Sequence, residues 1–75
     1  MKPTSKKFLK ILGTRVKELR KSQKISQEQL AYESNLHRIH LLRIENGKLN
    51  TSIGNLLAIC KALNISLKEL FDFEH

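Results

Sequence analysis

Cysteine is almost missing from this sequence. Cys60 is alone, so no internal disulfide forms and the core must hold without a staple. A reducing, cytoplasmic setting suits such a chain. Proline occurs once, as Pro3, outside the first periodic segment, and glycine three times, as Gly13, Gly47 and Gly54. With no Gly/Ser-rich linker, repeat or low-complexity tract, residues 1–75 read as one domain, with 1–5 as a disordered N-terminus. Tryptophan is absent and aromatic residues make up 5% of the chain. No apolar run approaches the roughly 18 residues of a membrane span, and a secretory signal core is missing as well. Length is short too. A domain of 75 residues buries only about 60% of the surface its unfolded form exposes, which leaves little room for an enzyme's deep pocket.

Acidic residues are scarce where basic ones are dense. Fourteen Lys and Arg face seven Asp and Glu, a net charge of +7. The excess lies in residues 1–24, where Glu18 alone opposes nine basic groups, while residues 25–75 are close to neutral. A basic excess of this kind points to nucleic acid or an anionic surface, or serves solubility, and carries no information on fold.

Strand alternation is missing, and a helical period runs through nearly the whole chain. The first helix is expected to begin after Thr4 or Ser5 and to run to about Ser22. Phe8, Leu9, Ile11, Leu12, Val16 and Leu19 share one broad face of it, with Lys6, Lys10, Lys17, Lys21 and Lys24 opposite. Arg15 projects into the apolar stripe and Arg20 onto its edge, so both must snorkel or find a partner. Ser26 to Gln29 reads as a capping box that starts a second helix through Ser34, with Leu30 and Ala31 inward. Asn35 breaks it, since asparagine tolerates the left-handed backbone of a tight turn. Leu36 and Leu41 have the spacing of a hydrophobic staple around a third helix, about Arg38 to Glu45, which Gly47 ends. A fourth helix from about Ser52 carries Ile53, Leu56, Leu57, Cys60 and Leu63 at core spacing and closes at Asn64. Ser66 to Glu69 is a second capping box, opening a last helix with Leu67, Leu70 and Phe71. The expected fold is an all-α globule of five short helices.

Helices two and three, joined at Asn35, have the register of a helix-turn-helix. The stretch ISQEQLAYESNLHRIHLLRIENGK, followed by LLAICKALNISLKEL, resembles the Xre/Cro–repressor type of helix-turn-helix domain, which includes phage repressors and restriction–modification controller proteins. The resemblance covers about residues 10–71, through Arg20, Gln27, Leu30, Ala31, Ile44 to Gly47, Ala62 and Leu63 taken in order. It implies a five-helix repressor-like fold and a transcriptional regulator that binds double-stranded DNA with the third helix in the major groove. It further implies a buried ion pair between Arg20 and Glu45, a phosphate contact and a bracing role for Gln27, and backbone contacts by Asn46 and Lys48. Base-contacting positions of the family fall on Arg38, Ile39, Leu42 and Arg43. The chain departs from the family at Thr51, where a proline is common, at Asn35, where glycine is common, and at apolar Leu42.

Helix phase reaches the same four residues without the family. Leu41 and Ile44 turn to the core, which leaves Arg38, Ile39, Leu42 and Arg43 outward, with His37 at the helix start. An arginine fork matches O6 and N7 of guanine, while Ile39 and Leu42 suit thymine methyls or simply exclude water beside the arginines. A half-site with at least one G and one T is the expectation.

Other features have blander readings. The lysine face of the first helix reads as solvated, its field steering association. Cys60 reads as a small buried hydrophobe and Tyr32 as a surface or edge residue within reach of a phosphate. His37 and His40 lack a third ligand, so a cap or phosphate contact is the better reading of His37 than a metal. Phe71 and Phe73 fit either a partner interface or packing within the chain. Dimerisation through the last helices is usual in the family, which implies a homodimer on a pseudo-palindromic operator with recognition helices one DNA turn apart. No phosphate loop, zinc spacing or nucleophile with a base is present, so no enzyme, cofactor or metal is expected. The competing reading is a protein-interaction module, antitoxin-like or adaptor, that uses Ile39 and Leu42. Membrane-surface binding by the first helix is disfavoured because its apolar face is needed for the core.

Overall fold

A computed structural model describes residues 6–48 and 50–73. The proposed caps Thr4 and Ser5 and the N-terminal segment 1–5 lie outside them. The described residues form five helices and no strand: α1 Lys6–Ser22, α2 Gln27–Glu33, α3 Arg38–Glu45, α4 Ile53–Leu63 and α5 Leu67–Leu70. None is long and apolar enough to cross a membrane.

Local chemistry sets the boundaries. The hydroxyls of Ser26, Ser52 and Ser66 each accept from the backbone amide three residues on, so three helices start on serine caps. Ser66 completes a capping box, because the Glu69 carboxylate accepts from the Ser66 amide at 3.0 Å. Ser26 does not. The Gln29 amide group donates instead to the Glu33 carboxylate one turn along α2, so the sequence-based box is only half formed. Lys24, Asn35, Gly47 and Asn64 take left-handed backbone angles, one at each of the four interhelical connections. Asn35 and Asn64 were legible as such, whereas Lys24 pays a steric penalty that its neighbours' hydrogen bonds offset: its own amide donates to Lys21 and that of Ile25 to Arg20.

The core gathers Leu12 and Val16 of α1, Leu30 and Ala31 of α2, Leu41 and Ile44 of α3, Leu56, Ile59, Cys60 and Leu63 of α4, and Leu70 of α5. Two expectations for α4 need correction. Ile53 and Leu57 are 59% and 48% exposed, and Ile59 is fully buried. Leu56, Ile59, Cys60 and Leu63 already complete an i, i+3, i+4, i+7 stripe, and Leu57 is rotated about 100° from Leu56, away from that stripe. Cys60 is buried as expected. Burial pushes its thiol above the ordinary range, with the Glu69 carboxylate adding to the shift, so it stays protonated and behaves as a small apolar group.

Arg15 finds its partner in the backbone carbonyl of Glu69, to which Nη2 donates at 2.8 Å, tying α1 to α5. Phe8 joins this end of the molecule. Its ring stacks on Phe71 with centroids 6.3 Å apart and meets Phe73 at 6.0 Å. Of the two readings of Phe71 and Phe73, packing within the chain is the one the rings display.

Gly13 is the most closely packed of the three glycines. It is buried, and a side chain there would be driven into the carbonyl oxygens of Ile44 and Glu45, the latter at 2.7 Å. Backbone does not yield as a flexible side chain does. Gly13→Ala should therefore destabilise the domain by about 1–3 kcal/mol, despite the roughly 1 kcal/mol that alanine gains in helix propensity. Gly54→Ala is the control, since a methyl there meets only Ser52 Oγ at 3.7 Å. It should be neutral or raise the melting temperature by several degrees. Equal melting temperatures for the two variants would contradict this packing.

Candidate nucleic-acid interface

The interface begins from a buried charge. Arg20, near the end of α1, and Glu45, the last residue of α3, have side chains 8% and 0% exposed. Arg20 Nε donates to Glu45 Oε2 at 2.7 Å and Nη2 to Oε1 at 3.1 Å, a bidentate fork. Arg20 Nη1 donates to the Ile25 carbonyl at 2.8 Å, and the Gln27 side-chain amide donates to Glu45 Oε1 at 3.0 Å. Three segments therefore meet at one carboxylate: the end of α1, the start of α2 and the end of α3. The ion pair and the bracing part of the Gln27 expectation are both present in the geometry. That geometry fixes the pitch of α3 against the helix before it.

The face of α3 turned from the core carries Arg38, Ile39, Leu42 and Arg43, all exposed, while Leu41 and Ile44 are buried. The split follows from helix phase, as the sequence implied. Arg38 Nη1 lies 3.8 Å from Glu28 Oε1 on α2, but both side chains are more than half exposed, so the pair is loosely held. His37 occupies the N-cap position with extended backbone, and its side chain makes no capping hydrogen bond, so the cap reading of that imidazole fails. Leu36 is partly buried and packs against the core to which Leu41 belongs.

The chain leaves α3 through Asn46, Gly47 and Lys48. The Asn46 amide donates to Leu42, and the Lys48 amide donates to the Arg43 carbonyl at 2.9 Å, wrapping the backbone around left-handed Gly47. Both side chains are exposed just past the helix end. Gln27, at the start of α2, is half-buried. On this side of the molecule Arg38, Arg43 and Lys48 stand exposed with positive charge.

One element of this region was not legible. His40 turns from the outer face toward the start of α4, where Nε2 lies 3.1 Å from Thr51 Oγ1 and 3.3 Å from Asn55 Nδ2. Asn55 also donates to Thr51 Oγ1 at 2.9 Å. Thr51, marked in the sequence as a lost proline, thus supplies a side-chain tie between α3 and α4. The i, i+4 spacing of Thr51 and Asn55 was the only signal, and it is weak. Among the described residues no group of three or more His, Cys, Asp or Glu residues is placed to hold a metal. Tyr32, 82% exposed on α2, is the surface residue the sequence suggested.

Comparison with known proteins places this arrangement in context. A helix-turn-helix family model, HTH_3, matches residues 16–70. Control protein C.BamHI of Bacillus amyloliquefaciens is 42% identical over 64 residues, covering 84% of this chain and 79% of that protein. The immunity repressor protein of Bacillus phage phi105 is 39% identical over 59 residues, covering 79% of this chain and 41% of the repressor. Among solved structures, the restriction-modification controller protein C.AhdI from Aeromonas hydrophila superposes with a TM-score of 0.83 at 41% identity, over 84% of this chain and 96% of that one.

The buried network makes a sharp prediction. Glu45→Gln leaves the Arg20 charge uncompensated and should cost about 3–5 kcal/mol in urea unfolding, a large part of the total for a domain of this size. Replacing both partners with apolar residues, as in Arg20→Met with Glu45→Leu, should recover much of that loss. A Glu45→Gln variant within about 1 kcal/mol of the parent would show that the pair is not desolvated as described.

Proposed function

The chain belongs to the helix-turn-helix family of DNA-binding transcriptional regulators, and from that membership we propose that it reads a specific double-stranded DNA sequence with α3 in the major groove. The observation that carries this reading is the outer face of α3. Arg38 and Arg43 stand exposed there on a helix whose inner face and C-terminal end are locked to the core. A helix held rigidly can present two arginine forks to base edges at a defined depth, and each well-made fork discriminates by about 1–3 kcal/mol. Ile39 and Leu42 lie between them and would meet thymine methyls or exclude water. Gln27, His37, Asn46 and Lys48 would grip phosphates, which fix register but carry no sequence information.

A twofold homodimer on a pseudo-palindromic site completes the proposal, with recognition helices about 34 Å apart. The half-buried edges of Phe71 and Phe73 are its suggested contact. Exposed Ile53 supports this location, because it lines one groove with Phe8 and Phe71. The C.BamHI and phi105 proteins are named as a control protein and a repressor, and a regulatory role of that kind is the one we assign here.

A second reading rests on a specific observation. Ile39 is 59% exposed and Leu42 37% exposed on the same face, which also suits a protein partner. Duplex affinity that barely changes with salt, together with tight protein binding through these residues, would favour it.

The test of the first reading compares a duplex carrying the preferred site with one of scrambled sequence. Arg38→Ala and Arg43→Ala should each weaken the preferred duplex by about 5–150-fold, and the scrambled one far less. Lys48→Ala and Gln27→Ala should weaken both alike. Equal losses on both duplexes for Arg43→Ala would contradict a base-reading role. In sedimentation at micromolar concentration the chain should show a dimer, free or on DNA; monomer under both conditions would rule the dimer out.

A further inference from the structure

The lysine-rich face of α1 is not wholly turned to solvent. Gly13 and Arg20, which fall beside Lys6, Lys10 and Lys17 in projection, are both buried against the end of α3. The lysine stripe therefore borders the α1–α3 seam and is not opposite to it. Gly47 makes the placement explicit. A Cβ on Gly47 would lie 2.6 Å from Lys10 Cα and 2.9 Å from Lys10 N, so the turn after α3 rests directly on the backbone of Lys10. Lys6, one helical turn before Lys10, extends the same edge.

The result is a groove between α1 and the turn, lined by Lys6, Leu9, Lys10, Asn46, Gly47 and Lys48. All three lysines are exposed, and no acidic residue lines the groove. None of the three takes part in an ion pair among the described residues. The first turn of α1 holds no acidic residue either, although negative side chains are the stabilising choice at that end of a helix. Lysines there oppose the helix dipole and repel one another.

We propose that Lys6 and Lys10 join Lys48 in a second phosphate grip, which holds the backbone of double-stranded DNA beside the base pairs read by α3. The inference rests on the DNA-reading function proposed above and extends it to α1, a helix outside the helix-turn-helix itself. With Gly47 seated on the backbone of Lys10, Lys10 and Lys48 line the same groove, so one duplex backbone following the turn would meet both. The grip carries no sequence information. It adds affinity, and with it salt dependence, to every duplex the protein binds.

The experiment titrates the full chain with a fluorescent duplex at several salt concentrations between about 50 and 200 mM. Lys6→Gln with Lys10→Gln is compared with Lys61→Gln with Lys68→Gln, which removes the same charge from exposed positions on α4 and α5. The first variant should flatten the slope of log affinity against log salt by about 1.8 per bound protomer, two contacts at about 0.9 each, and so by about 3.6 for the proposed dimer on its full site. Over that fourfold change in salt, the parent then loses about 12-fold more affinity than the variant for one protomer on a half-site, and about 150-fold more for the dimer. The control should keep the parental slope, neither variant should melt below the parent, and the preferred sequence should be unchanged. A parental slope in Lys6→Gln with Lys10→Gln, or an equal change in both variants, overturns the grip while leaving the DNA-reading function intact. A parent chain with no salt-dependent duplex affinity overturns both.

Discussion

A single buried carboxylate organises the DNA-facing half of this protein. Glu45 accepts two hydrogen bonds from Arg20 and one from Gln27, and Arg20 spends its remaining terminal nitrogen on the carbonyl of Ile25. Burying two charges in a domain this small is costly, and the return is repaid in geometry as much as in stability. Every group in the cluster belongs to a different segment. α3 therefore cannot tilt or slide without breaking a charge-assisted bond inside the protein, where water cannot replace it. That rigidity is what a helix needs if its outer side chains are to meet base edges at fixed positions.

The two glycines on either side of α3's end belong to the same device. Gly13 lets the backbone of α1 touch the carbonyls of Ile44 and Glu45, and Gly47 lets the chain turn back onto Lys10. With so thin a core, close backbone contact does work that bulky side chains do elsewhere. It also brings α1 to the edge of the proposed interface. The strongly basic N-terminal third, which composition alone assigned to solubility or to long-range attraction, thereby acquires a place beside the groove that α3 is proposed to occupy.

Much of this was legible in the residues. The serine caps, Asn35, Asn64 and Gly47 announced the boundaries of four helices, because each meets a backbone requirement that few other residues satisfy. Arg20 announced its partner through a conflict, a charge on the edge of an apolar stripe. The outward set on α3 followed from phase. What stayed hidden depended on tertiary contact. Gly13 reads in sequence only as a weak helix position, and its role appears once α3 lies across it. The inward turn of His40 to Thr51 and Asn55 involves three polar residues with no periodic signature. Ile53 and Leu57 obeyed helical spacing closely enough to suggest the core, yet the stripe from Leu56 to Leu63 had already filled it. Lys24 in a left-handed turn breaks propensity outright.

The most direct test of the account is selection of binding sites by the purified protein from a randomised duplex pool at near-physiological salt. The account predicts enrichment of an inverted repeat whose half-sites lie about one helical turn apart, each with a guanine for an arginine of α3 and a neighbouring thymine. Binding that remains salt-sensitive but enriches no sequence would contradict it, reducing the basic surface to a nonspecific attraction for DNA.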